Sequence, residues 1–249
     1  MLVARLSTTI RSVAATPWQF CIFAIAYFLA VLGLDRLCSL PEQLALGALT
    51  WVVLLWACVP LARERRAQVA AVVVVATCAE VLGSIIWGVY RYRLGNLPMF
   101  VPPGHGLVFL LGLRLSQLDT VRRRERLFVG VTVLAGAVWA ALGLTVFDRT
   151  DALGALGIVV FTLYVFAGPT PAIYAGVFVA VAMLEISGTA IGTWRWLPIV
   201  PGTSVPSGNP PSGAIAGYAL FDICAMVMAP WFLRAGARAR WLRPGIAEA

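Results

Sequence analysis

Glu80-Val81-Leu82-Gly83-Ser84-Ile85-Ile86-Trp87-Gly88-Val89-Tyr90-Arg91-Tyr92 places an ionisable side chain inside an apolar run and closes on an aromatic-Arg-aromatic triplet. The pattern returns as Glu185-Ile186-Ser187-Gly188-Thr189-Ala190-Ile191-Gly192-Thr193-Trp194-Arg195-Trp196. Further on, Val101-Pro102-Pro103-Gly104-His105 is answered by Val205-Pro206-Ser207-Gly208-Asn209. Glu185 follows Glu80 by 105 positions and Val205 follows Val101 by 104, so the copies differ by one residue in between. The chain reads as a duplicated half. Each half holds a carboxyl where ionisable groups are costly and mark functional sites by default.

The 249 residues are 61% hydrophobic and 12% charged, with a mean hydropathy of +0.89. A soluble domain would carry roughly 25% charged residues. The expectation is an all-α polytopic membrane bundle forming one integral domain over 1–249. Hydropathy marks about eight spans, near 17–34, 43–62, 67–90, 104–118, 127–147, 152–168, 172–193 and 213–233. Each approaches the ~20 residues that cross ~30 Å of hydrocarbon. The fourth is short and holds Arg114, so seven is the alternative count. Repeat one covers about 15–120 and repeat two about 121–235. Four spans per half return the chain to its starting side, which makes the halves parallel.

All 19 basic residues are Arg, as expected of a GC-rich bacterial genome. Thirteen fall at the termini and the loops on their side, five fall on the other side, and Arg114 lies within a span. The positive-inside rule then places both termini in the cytoplasm of a bacterial inner membrane. The net charge of +8 is an orienting and headgroup-binding feature, not a nucleic-acid site. The five cysteines show no Cys-x-x-Cys spacing and read as small buried side chains. Prolines at 98–103 and 198–213 argue against regular helix there and for loops that fold back into the bundle.

Three acids are the candidate catalytic residues: Glu80, Glu185 and Asp222. Ten residues separate Glu80 from Tyr90, roughly 15 Å of continuous helix, or about mid-bilayer. Gly83, Ser84 and Trp87 follow Glu80 on its helical face. Small residues beside each glutamate let helices approach, so both faces point into the bundle. A carboxyl out of water favours its neutral form, and a neutral carboxyl donates protons. The plainer alternative is a protonated glutamate bonding a neighbouring helix. Asp222 has no acidic counterpart in the first half and could pair with Arg114. His105, the only histidine, matches Asn209; each could bond a carboxyl or hold a water, or simply start a helix. Tyr90, Tyr92, Trp87, Trp194, Trp196 and Tyr218 are candidate pocket walls, the interfacial ones being equally an aromatic belt. A lone histidine excludes histidine-cluster iron or zinc chemistry, and no cofactor motif occurs, so neither metal nor cofactor is expected.

The run Glu80, Gly83, Gly88, Tyr90, Tyr92, Leu94, Gly95, Val101, Pro102, with Trp194, Trp196, Val205, Pro206 and Asn209 after it, resembles the membrane carotenoid-biosynthesis family that contains the carotenoid 1,2-hydratases. The likeness covers about half the chain in two islands. It departs where the family has Phe-Gly and this chain has Trp87-Gly88. A more distant likeness is to small integral-membrane terpene cyclases. The resemblance implies acid-catalysed hydration or cyclisation of an isoprenoid double bond. The expected partners are a lipophilic small molecule and membrane lipid, with no nucleic acid; a homo-oligomer is compatible with the chain. The alternatives are a proton-coupled carrier and a structural membrane subunit.

Overall fold

The computed structural model describes residues 13–218, 224, 227–231 and 233–234. Asp222 and part of the eighth expected span, 219–223, 225–226 and 232, lie outside the described residues. The fold is an all-α bundle. Its elements are α1 (Pro17–Asp35), α2 (Leu40–Cys58), α3 (Arg63–Glu80, continuing as a π turn over Val81–Ile86), β1 (Tyr90–Tyr92), α4 (Val101–Ser116), α5 (Asp119–Arg123), α6 (Glu125–Thr145), α7 (Ala152–Ala167), α8 (Pro171–Ile191) and β2 (Trp194–Trp196). Residues 215–218 are again helical.

Among the described residues, five helices are long and apolar enough to cross a membrane: α1, α2, α3 with its π turn, α6 and α8. α7, at 16 residues, is shorter but apolar. The outer faces of α6 and α7 expose Leu127, Val131, Leu134, Leu156, Val159 and Leu163, a surface suited to hydrocarbon and not to water.

α4 is the axle of the bundle. Residues from His105 to Leu113 are all buried, as expected of a helix enclosed on every side. It packs on α1, α2, α3 and α8. Against α8 the two backbones meet through glycines: a Cβ on Gly112 would lie 2.7 Å from the Val177 nitrogen, and one on Gly176 would lie 2.5 Å from the Gly112 carbonyl oxygen. Small residues at a crossing are what allow helices to touch closely inside a membrane.

Two expectations are corrected here. Pro102 and Pro103 do not break structure; they occupy the first turn of α4. There the missing N–H has no helical partner to lose and the fixed φ already fits. The segment between Glu80 and Tyr90 is also not continuous helix. α3 widens into the π turn, ends at Ile86, and reverses at Gly88, whose φ of +74° suits a residue without Cβ. Glu80 therefore sits about six residues, roughly 9 Å, from the end of its helix.

The π turn also accounts for the residue by which the copies differ. In the first copy four residues lie between Gly83 and Gly88; in the second, three lie between Gly188 and Gly192. α8 runs as regular helix to Ile191 and reverses at Gly192, with φ +90°. A π turn holds one more residue than an α turn, so the extra residue is absorbed without moving the glutamate relative to its strand.

Candidate active site

Beyond each reversal the aromatic triplets form β1 and β2, which pair antiparallel in the register Tyr90↔Trp196, Arg91↔Arg195 and Tyr92↔Trp194. Alternation along a strand sends the aromatics to one face and the arginines to the other. The aromatic face returns toward the glutamate of its own copy. Tyr90 and Tyr92 donate their hydroxyls to Glu80 Oε2, each at 2.7 Å. Trp194 and Trp196 donate their indole N–H groups to Glu185 Oε2, each at 2.9 Å.

The glycine three positions after each glutamate makes this possible. A Cβ on Gly83 would stand 3.1 Å from Tyr90 Cε1, and one on Gly188 would overlap the Trp194 ring. The second glycine reverses the chain. Each fixed position of the motif thus has its own physical reason. The glutamate accepts, the first glycine leaves space for a ring, the second makes the turn, and the aromatics donate.

The two glutamates have different surroundings. Glu80 has both oxygens engaged, because His105 Nε2 lies 3.0 Å from Oε1. Glu185 Oε2 takes both indoles, and among the described residues nothing hydrogen-bonds its Oε1. Burial pushes the Tyr90 and Tyr92 phenols up, and the Glu80 charge beside them adds to the shift. They remain proton donors across the ordinary pH range.

Glu80 and Glu185 are both buried and line one cavity of about 210 Å³. Its wall near the strands is aromatic: Tyr90, Tyr92, Trp194, Trp196, His105 and Tyr218. The Tyr90 and Trp196 rings lie 4.6 Å apart, Tyr92 and Trp194 6.1 Å, and His105 and Tyr218 4.9 Å. The cavity continues between α1 and α4 past Phe28, Val31 and Val108 to Tyr27 and Thr50, which share a 2.8 Å hydrogen bond. Among the described residues no Arg or Lys belongs to the lining.

Of the residues singled out in the sequence, Glu80, Glu185, His105, Tyr90, Tyr92, Trp194, Trp196 and Tyr218 meet in this cavity. Trp87 does not. It is 56% exposed and donates to the Pro201 carbonyl, because the π turn rotates it off the face of Glu80. Asn209 is exposed and accepts from the Trp196 backbone N–H at 2.8 Å, so it braces β2 and does not repeat the contact of His105 with its glutamate. Arg114 bonds Gln117 and the Ala14 carbonyl.

Two further buried acids carry no motif in the sequence. Asp151 caps α7 through the Gly154 N–H and also accepts from the Gly208 N–H at 2.8 Å, the Ser212 N–H at 2.7 Å and the Ser212 hydroxyl at 2.8 Å. It folds the Pro-rich 206–212 segment inward. Asp35 accepts from Gln43 at 2.6 Å and lies 3.5 Å from Arg93 Nε, tying α1 to α2 and to the end of β1. Both sit beside ordinary-looking loops, and their main partners are distant in sequence.

Among the described residues no group of three or more His, Cys, Asp or Glu is placed to hold a metal ion. No protein family, no curated protein and no solved structure matches this chain.

Proposed function

We propose that this protein is a membrane enzyme that protonates a carbon–carbon double bond of a lipophilic, isoprenoid-like substrate and directs the resulting carbocation to water (hydration) or to a second double bond (cyclisation). The observation that carries this reading is the shared apolar cavity with two buried glutamates bonded in different ways.

Indole N–H groups can only donate. Two of them on Glu185 Oε2 leave Oε1 as the oxygen that carries the carboxyl proton. Glu80, with two phenol hydroxyls donating to Oε2 and His105 Nε2 against Oε1, is held as the fixed acceptor. Glu185 gives its Oε1 proton to one alkene carbon, a C–H bond forms, the π bond breaks and positive charge develops on the neighbouring carbon. The two indoles stabilise the new Glu185 carboxylate. The charge on carbon faces aromatic rings and Glu80 in a site shielded from water, where such stabilisation is strongest. In hydration the incoming water bonds to that carbon and releases its proton to Glu185. In cyclisation an internal double bond forms the new C–C bond and a ring carbon returns the proton. The likeness of the motif islands to the carotenoid-biosynthesis family supports the choice of substrate.

The finer architecture belongs to the same proposal: two parallel four-span repeats in a bacterial inner membrane, with both termini cytoplasmic. Its supports are the matching glutamate–glycine–aromatic units and the Arg asymmetry.

The test is turnover of acyclic isoprenoids by the protein in nanodiscs made up in deuterium oxide. Hydration adds one water and leaves one deuterium on carbon; cyclisation leaves the mass of the protium form raised by one deuterium only. Glu185→Gln should lower the rate by about 10²-fold or more, with the protein still monodisperse. Unchanged turnover in that variant removes Glu185 as the acid. A second reading, a proton-coupled carrier, draws on the irregular turn next to Glu80. It requires substrate-dependent proton flux in sealed vesicles.

A further inference from the structure

We infer that the cavity is a receptor for lipophilic organic cations: a tertiary or quaternary ammonium with an apolar arm binds with its charge between Glu185 and the aromatic wall. This rests on the same site as the catalytic reading but asks less of it, since no bond needs to change.

Among the described residues the cavity lining holds two carboxyl groups, one imidazole, and no Arg or Lys. An anionic headgroup would meet the two glutamates with no Arg or Lys among the described lining residues to answer it. A neutral hydrocarbon suits Glu185 only while Oε1 keeps its proton; once that proton is given up, the carboxylate Oε1 has no hydrogen-bond partner among the described residues. A cation answers both features.

The rings follow. Tyr90 and Trp196 are in ring contact at 4.6 Å and Tyr92 and Trp194 at 6.1 Å, and all four belong to the lining. The Trp194 and Trp196 edges are fixed by their N–H bonds to Glu185. The rings beside that carboxyl are therefore held in place before a cation arrives, and both border the cavity. Several electron-rich faces around one carboxylate are the recognition chemistry of alkylammonium groups. The apolar arm has a defined course past Phe28, Val31, Leu32 and Val108. A positive charge at this place also mimics the carbocation of the proposed reaction, and mimics of a transition state bind more tightly than substrates.

The experiment is calorimetric titration of the full-length protein in nanodiscs with N,N-dimethyloctylamine in its protonated form, against octanoate and against 2-methyldecane as anionic and neutral counterparts. The ammonium should bind at least tenfold more tightly than either. Glu185→Gln should weaken it about tenfold or more while leaving the neutral compound unaffected, which also shows that the cavity survives the substitution. Trp196→Leu should weaken it several-fold. Equal affinity for ammonium and hydrocarbon, or an unchanged ammonium affinity in Glu185→Gln, overturns the inference. Ammonium binding without conversion of any alkene leaves the receptor standing and removes the catalytic reading. Conversion without preferential ammonium binding does the reverse.

Discussion

Gly188 and Gly83 fill the same place in the two motif copies, yet they are unequally tight. A methyl on Gly188 would enter the Trp194 ring, whereas one on Gly83 would stand 3.1 Å from Tyr90 Cε1. Gly188→Ala should therefore displace the indole from Glu185 and destabilise the protein by about 1–3 kcal/mol, the usual scale of overpacking. Gly83→Ala should cost clearly less, because the Tyr90 ring can yield by a few tenths of an ångström. Thermal unfolding of both variants in one detergent checks the order. At the same scale, Tyr92→Phe removes a donor from a buried carboxyl and should cost about 1–3 kcal/mol. The glutamates, the glycines and the aromatics were legible as residues, since a repeated motif in an apolar run announces itself. The exchange of roles at Trp87 and Asn209 was not. A single added residue in the turn rotates Trp87 outward, and Asn209 bonds a backbone N–H that carries no mark in the sequence.

The π turn and the 206–212 segment are the elements that hold the site. Because the second copy makes the same reversal with one residue fewer, deleting the exposed Ile85 should convert the π turn to an α turn and leave a folded protein. Retained monodispersity and unaltered aromatic near-ultraviolet dichroism would agree; aggregation of this variant would count against that explanation of the π turn. Asp151→Ala should orphan three backbone N–H groups and the Ser212 hydroxyl. Hydrogen exchange should then rise across 206–213 before it rises in α8. Hydropathy found the helices of this bundle with errors of a few residues, as long apolar runs allow. It missed the start of α4 because two prolines resemble a break wherever they stand, while in a first helical turn they are compatible. It missed Asp151 because an acid in a short polar turn resembles a solvated one, and two of its partners, Gly208 and Ser212, arrive 57 and 61 residues later.

For the molecule as a whole, the proposed topology is open to a direct check. α2 runs from the turn holding Cys38 to the turn holding Ala62. In single-cysteine variants of intact cells, a membrane-impermeant maleimide should label Cys38 and spare Ala62→Cys; the opposite pattern reverses the orientation. The bundle also distributes its contacts unevenly along the chain. β1 has β2 as its neighbour and β2 has β1, each supplying the other with its backbone hydrogen bonds. The ribbon roofing the cavity is thus shared property of two stretches roughly a hundred residues apart. Cut at Arg124, the chain would yield two fragments, each with one strand edge that has lost its partner and one of the two cavity glutamates. Neither fragment can close a roof by itself. Produced together in one membrane they should find each other through that edge, and co-purification of untagged fragment with tagged one would report it. A fragment made alone has one way left to satisfy its edge, which is to pair with a second copy of itself about a two-fold axis.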